Sequence, residues 1–307
     1  MYAAVVTDFS LPPRFDRIDD PVASGDDEIV VEVLASALHP RVRSQADGSH
    51  YTATDHLPLV PGVDGVGRDA DGALRYFVVE EGAMAQRAVI DRRASLVLPD
   101  GLDPVTIAAA MNPAMSSWIA LRRRADLRPG QHVVILGATG SAGRMAIEVA
   151  RHLGAGRVSA VARDTTRFAA LEALGADEAL SFDRIGEVAG ADVVLDYVWG
   201  APGATAMTEL VRARPHRSEA FTWVQIGSVA GPEAPVLSAA LRSSGLRIVG
   251  SGQGSVPTRD ILEELRPLAA YVGTGAARVD ARALPLAEVA EAWATPASSA
   301  ERLVLVP

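Results

Sequence analysis

The sequence contains no cysteine in 307 residues, so disulfides, thiolate nucleophiles and cysteine-bound zinc are excluded. It contains no lysine either: all 29 basic residues are arginine. That removes Schiff-base chemistry, a phosphate-loop lysine and any tyrosine–lysine proton-transfer pair. Positive charge is in deficit, with a net charge of −9. A phosphate backbone demands a basic footprint, so nucleic acid is not expected as a partner. The short run Arg122-Arg123-Arg124 reads as decoration of a helix end. No apolar run approaches the roughly 18 residues needed to cross a bilayer, and no membrane partner is expected. Met1 to Thr7 lacks the basic flank and long apolar core of a secretion signal, so it reads as a first strand and implies a cytoplasmic location.

Apolar residues make up 49% of the chain, enough at this length for two domains with cores of their own. From residue 1 to about 118 the pattern is β-rich. Short apolar runs such as Ile29–Leu34 and Arg75–Val79 are bounded by Gly, Pro and Asp, and Gly62–Gly67 reads as a turn entering a strand. A helix is expected over Pro104–Arg124, stopping or restarting at Asn112-Pro113 because proline lacks an amide proton. Strand and helix then alternate: strands at Gln131–Leu136, Val158–Val161, Asp192–Leu195 and Phe221–Ile226, helices at Arg144–Leu153, Thr165–Leu174 and Ala204–Val211. A segment from Pro235 to Val249 completes this alternation, which predicts an α/β fold with a doubly wound parallel sheet. The tail reads as a helix (Arg259–Tyr271), a strand (Ala277–Ala283), a short helix near Leu286–Trp293 and a last strand, Arg302–Val306.

The motif Gly137-Ala138-Thr139-Gly140-Ser141-Ala142-Gly143 falls where a buried strand ends and a helix begins. Glycines there permit a tight turn, a close backbone approach to a pyrophosphate, and close packing of helix on strand. The helix N-terminus offers unpaired amides to the phosphates. Thr139, Gly140, Ser141 and Ala142 are therefore candidate dinucleotide contacts. After the second strand, where an NAD site usually carries an acid, stand Arg163-Asp164-Thr165-Thr166-Arg167. Two guanidinium groups suit a 2′-phosphate, so Arg163 and Arg167 predict NADPH as the cofactor.

The residues Ala37-Leu38-His39-Pro40, Pro58 to Gly67, Asn112 to Trp118 and the glycine motif together resemble the medium-chain dehydrogenase/reductase superfamily, in its zinc-free branch of quinone oxidoreductases and enone or alkenal reductases. The resemblance covers essentially the whole chain. It implies a GroES-like β-rich catalytic domain from 1–118 and 251–307, with a Rossmann dinucleotide-binding domain at 119–250 and a small-molecule substrate entering between them. It further implies that His39, Pro40, Met115, Gly227-Ser228-Val229 and Gly252-Gln253-Gly254 line the nicotinamide, and that two chains pair through the outer strand of the cofactor sheet, with Leu246–Val249 as the apolar edge of a homodimer. Zinc-dependent relatives carry a His-Glu pair where this chain has Val63-Asp64. His39, His50 and His56 are not expected to replace it, because catalytic zinc needs three convergent ligands and loop histidines are usually solvated.

Without a metal, hydride transfer requires a nicotinamide carbon held about 3–3.5 Å from the acceptor and stabilisation of the anion that forms. Conjugated acceptors suit such a site because their negative charge spreads onto a carbonyl oxygen. By the resemblance, Tyr51, in the loop after His39, is the candidate proton donor and catalytic residue. Arg41 and Arg43 are candidates for steering anionic groups. Two other readings stay open on sequence alone: a carbonyl reductase using a polar relay, and a non-catalytic NADPH-binding sensor or structural protein.

Overall fold

The computed structural model describes residues 1–296 and 301–307. Its chain divides into two compact units, Met1–Asn112 with Leu265–Pro307, and Pro113–Glu264.

The first unit is mostly antiparallel. Its strands are β1 (Tyr2–Val5), β2 (Arg14–Arg17), β3 (Glu28–Ala37), β4 (Asp64–Arg68), β5 (Leu74–Val78), β6 (Arg87–Asp91) and β7 (Ser95–Val97). Helix α1 (Pro40–Ala46) follows β3, and α2 (Pro104–Ile119) follows β7. β3 alternates between apolar and polar positions, burying Val31 and Val33 while Glu32 faces out, as a strand with one covered face must. It pairs with β4 on one side and β6 on the other, and β4 continues to β5 and β7. Phe77 and Ile90 pack on Val31 and Val33, and burying each such side chain stabilises by about 1.5–3 kcal/mol.

The second unit holds a six-stranded, wholly parallel sheet. Its strands are β8 (His132–Leu136), β9 (Arg157–Val161), β10 (Glu178–Leu180), β11 (Val193–Asp196), β12 (Ala220–Gln225) and β13 (Gly245–Gly250), in the order β10-β9-β8-β11-β12-β13. The interleaved helices are α3 (Ser141–His152), α4 (Phe168–Ala173), α5 (Gly200–Ala213) and α6 (Ser238–Arg242), and α7 (Thr258–Gly273) follows β13. β8 is buried along its whole length, as a central strand covered on both faces must be. Chain order reverses direction between β8 and β11, so the crevice for a ligand lies at the carboxyl ends of those two strands. The tail returns to the first unit, where β14 (Ala281–Pro285) and β15 (Arg302–Val306) join β3's sheet, with α8 (Val289–Ala294) between them in sequence.

Three readings of the sequence require correction. α2 does not break at Asn112-Pro113: Pro113 lies inside it, and the helix runs on into a wider turn over Ala120–Ala125. A mid-helix proline costs about 3 kcal/mol. Here Ala108, Ala109, Ala110, Met111 and Ala114 are all at 0% exposure, and unwinding would expose them. The strand expected at Ala277–Ala283 lies further along, at Ala281–Pro285. The three-residue strand β10 was not anticipated, being too short to show a period. The run Arg122-Arg123-Arg124 sits at the helix end and is matched locally: Arg122 and Arg123 meet Glu264, and Arg124 donates to the Gly250 carbonyl.

Candidate active site

The turn between β8 and α3 is shaped by contacts that leave no room for side chains. Gly137 adopts φ +82°, a left-handed conformation that favours glycine. A Cβ on Gly143 would collide with the Gly137 oxygen and stand 2.7 Å from the Ala138 Cα. Gly140 caps α3 with extended backbone and no side-chain bond, so the first amides of a twelve-residue helix remain available. Thr139, Ser141 and Ala142 are half-buried at this turn and Gly140 is exposed. This is the glycine cradle expected from the sequence.

The ends of β11 and β12 complete the crevice; the sequence points to Gly227-Ser228-Val229 after β12 but gives no sign of the role of the end of β11. Asp196, the last residue of β11, is fully buried. Its Oδ1 accepts the amides of Val198 at 2.8 Å and Trp199 at 2.9 Å, and its Oδ2 accepts the Trp223 indole N–H at 2.9 Å. Burial raises its pKa, and those three donors pull it back. The bonds hold a strained turn in which Trp199, with φ +52°, opens α5. Tyr197 follows Asp196. Its backbone amide donates to the Leu136 carbonyl of β8. A Cβ on Gly227 would lie 2.7 Å from the Tyr197 oxygen, so β12 must exit through glycine. The Tyr197 hydroxyl meets Ser116 Oγ of α2 at 3.2 Å, next to half-buried Met115. Burial pushes this hydroxyl up to about 12, against the pull of Ser116 and Ser117. It stays protonated at neutral pH. The signal in the sequence was a polar aromatic residue placed directly after a buried strand.

Of the other expected contacts in this unit, Gly227 is half-buried, Ser228 is exposed and Val229 is 84% exposed on the loop after Gly227. Gly252-Gln253-Gly254 form a turn after β13, closed by Ser255 N–H to Gly252 O, with Gly254 at φ +87°. Arg163 follows β9 and is exposed, with no ion-pair partner among the described residues. Arg167 reaches Asp164 at 3.4 Å, while Asp164 also accepts the amide and hydroxyl of Thr166. The acid in this segment therefore closes its own turn and pairs Arg167, leaving Arg163 unpaired.

The remaining candidates lie in the first unit. His39, expected on a ligand surface, is buried: its Nε2–H donates to Asp64 Oδ1 at 3.1 Å. The Tyr76 hydroxyl donates to Asp64 Oδ2 at 2.8 Å. Burial holds the His39 imidazole below its ordinary value, although Asp64 pulls it upward. Burial and the adjacent carboxylate both push Tyr76 upward. Buried Arg302 is pushed down to about 10 by desolvation, against the attraction of Asp64. Pro40 begins α1, where its missing amide proton costs nothing. Tyr51 is 71% exposed and stacks on His50 with ring centres 4.3 Å apart. The expectation of a solvated loop histidine fails for His39 because Asp64 is buried with it. His56 fits that expectation, being exposed. No group of three or more His, Asp or Glu arranged to hold a metal occurs among the described residues. Arg43 is not free to steer anions, because it donates to the carbonyls of Ala292, Trp293 and Thr295 at the end of α8.

No protein-family model matches the chain. It is 31% identical, over 360 aligned positions covering all of both chains, to a probable NADPH-dependent quinone reductase of Emericella nidulans. It is 24% identical to a chloroplastic NADPH-dependent alkenal/one oxidoreductase of Arabidopsis thaliana, across 87% of this chain and 68% of that one. Among solved structures it resembles the quinone oxidoreductase of Thermus thermophilus, also solved in complex with NADPH, with 27% identity, full coverage of both chains and a TM-score of 0.85.

The packing at the cradle leads to a stability prediction. Gly143→Ala places a methyl group against the Gly137 backbone, where no flexible atom can yield. The expected cost is about 1–3 kcal/mol, as for an overpacked core. Urea unfolding measures it, and a variant as stable as the parent would show that α3 can shift off β8.

Proposed function

The chain belongs to the medium-chain dehydrogenase/reductase superfamily, in its quinone-oxidoreductase branch, and on that basis we propose that it is an NADPH-dependent enzyme reducing quinones or conjugated enones and alkenals by hydride transfer. The observation that carries this reading is the cradle at the carboxyl end of β8. Gly143 cannot accept a Cβ, the first turn of α3 lacks a side-chain cap, and Arg163 stands unpaired one strand away. These residues fit a dinucleotide bearing a 2′-phosphate. The amides of Ser141 and Ala142 would face the pyrophosphate, with Thr139 and Gly140 shaping the turn. Arg163, joined by Arg167, would bind the phosphate on the adenosine ribose. Met115, Gly227, Ser228, Val229, Gly252, Gln253 and Gly254 would border the nicotinamide half. When bound, NADPH supplies the hydride; the chain orients it, excludes water and returns a proton to the reduced acceptor.

The division of labour is part of the same proposal: 119–250 holds the cofactor, and 1–118 with 251–307 binds the substrate. So is independence from zinc, since Val63 stands where zinc-dependent relatives carry histidine and the chain has no cysteine. We place the enzyme in the cytoplasm. Purified protein should oxidise NADPH when given quinones or enones and keep that activity in chelator. Product analysis assigns the reduced bond, with a saturated ketone marking C=C reduction and an allylic alcohol marking a carbonyl reductase. A protein that binds NADPH but consumes none with any such acceptor would be a sensor instead.

Arg163 should decide the cofactor preference. Each charge-assisted bond to a phosphate contributes about 1.5–3 kcal/mol, so Arg163→Ala should weaken NADPH by roughly 10- to 100-fold and leave NADH nearly unchanged. Titration with both cofactors at one fixed ionic strength measures this. Equal losses would make Arg163 structural.

Tyr51, which is 71% exposed and stacked on His50, is the proposed proton donor. Tyr51→Phe should lower kcat on enones by roughly 100-fold, with little change in NADPH affinity. Unchanged turnover under conditions where chemistry limits the rate would assign the proton to water.

The sheet edge at β13 carries half-buried Leu246, Ile248 and Val249. An apolar edge of this kind is normally covered, and we infer that β13 of a second copy covers it. Sedimentation at micromolar concentration should report a homodimer, and a monomer alone would refute the pairing.

A further inference from the structure

The hydrogen-bond chain at the end of β11 has a direction. Ser116 Oγ donates its one proton to the Pro113 carbonyl at 2.8 Å. Both Ser116 contacts are made together when Tyr197 is the donor in the 3.2 Å contact, because Ser116 has one proton and the Pro113 carbonyl only accepts. With its own proton committed, the Tyr197 oxygen is left with acceptor capacity alone. Tyr197 stands at the switch point, beside Gly137 of the cradle and against Gly227 at the end of β12. In a sheet of this order the adenosine half of a dinucleotide lies toward β9 and β10, and the nicotinamide half toward β11 and β12. The group at that end able to present N–H donors is the carboxamide of the nicotinamide ring.

We propose that Tyr197, oriented by Ser116, accepts a hydrogen bond from the nicotinamide carboxamide and so fixes the rotation of the ring in its pocket. The inference rests on the reading of the cradle as an NADPH site. It assigns the Asp196-stabilised turn a purpose beyond packing, because that turn sets the backbone from which Tyr197 projects. Tyr197 is a positioning residue in this scheme: it holds the cofactor and takes no proton from the substrate.

The test compares binding of NADPH with that of its reduced 3-acetylpyridine analogue, which keeps both riboses and all phosphates but has no carboxamide N–H. Calorimetric titration reads binding without turnover, and 2′-phospho-ADP-ribose, which lacks the ring, reports whether a variant still folds its cradle. Tyr197→Phe should weaken NADPH by roughly 3- to 10-fold, as expected for one neutral hydrogen bond. It should leave the analogue and 2′-phospho-ADP-ribose unchanged, narrowing the preference for NADPH by the same factor. Ser116→Ala frees the Tyr197 proton to donate to the analogue's acetyl oxygen, and should narrow the preference by tightening the analogue. Equal weakening of NADPH and the analogue in Tyr197→Phe, or no change in either, would overturn the proposal while leaving the NADPH reading intact. Failure of the parent protein to bind NADPH at all would remove both.

Discussion

At the carboxyl end of β8, backbone approaches backbone more closely than any side chain allows. The oxygen of Gly137 occupies the space a Cβ on residue 143 would need. The same exclusion recurs where Gly227 passes the Tyr197 carbonyl and where Gly200 passes the Ala230 carbonyl, 2.6 Å from a would-be Cβ. The first shapes the turn from β8 into α3, and the other two hold the segments that leave β11 and β12 close together. Main chain therefore lines this end of the sheet, which suits a ligand whose phosphates are recognised by amides. A crevice built from backbone tolerates wide variation in side chains, provided the glycines remain.

The turn after β11 shows how the remaining strain is held. A left-handed Trp199 is unfavourable for a bulky residue, and the amides of Val198 and Trp199 have no carbonyl of helix or ladder to donate to. One buried carboxylate supplies the missing acceptors for two amides and one indole. Burial alone would favour a neutral Asp196; three donors aimed at it make an ionised or strongly polarised carboxyl tolerable. The first unit solves a similar problem differently. There Asp64 accepts from both His39 and Tyr76, with Arg302 supplying opposite charge, and the cluster occupies the region where the sequence lacks the histidine of a zinc site. Polar residues packed this way confer a fixed geometry more than net stability.

Arginine takes up every cationic task in this chain. Arg43 caps α8, Arg122 and Arg123 neutralise buried Glu264, and Arg302 balances Asp64. Arg43 uses the planar fork of its guanidinium, donating through both Nη1 and Nη2, whereas Arg302 acts on Asp64 through its charge. Arg163 differs in having no such assignment. Its neighbour Asp164 is occupied by Thr166 and Arg167.

The sequence alone determined the doubly wound parallel sheet and the place of its glycine turn, because buried parallel strands read as continuous apolar runs and a strand-to-helix turn of glycines has few other uses. It also determined the absence of cysteine and lysine chemistry, by composition. It left the helix through Pro113 illegible, since a local rule about proline carries no information about the alanines packed around it. It could not place His39, because solvation of a histidine depends on whether an acid distant in sequence, here Asp64, is buried against it. The roles of Asp196 and Tyr197 were hidden for the same reason: their partners at Trp223, Ser116 and Gly227 come from separate elements. Only tertiary packing decides which residues share a hydrogen bond. Periodicity reports which face of an element is apolar, and it is blind to what that face meets.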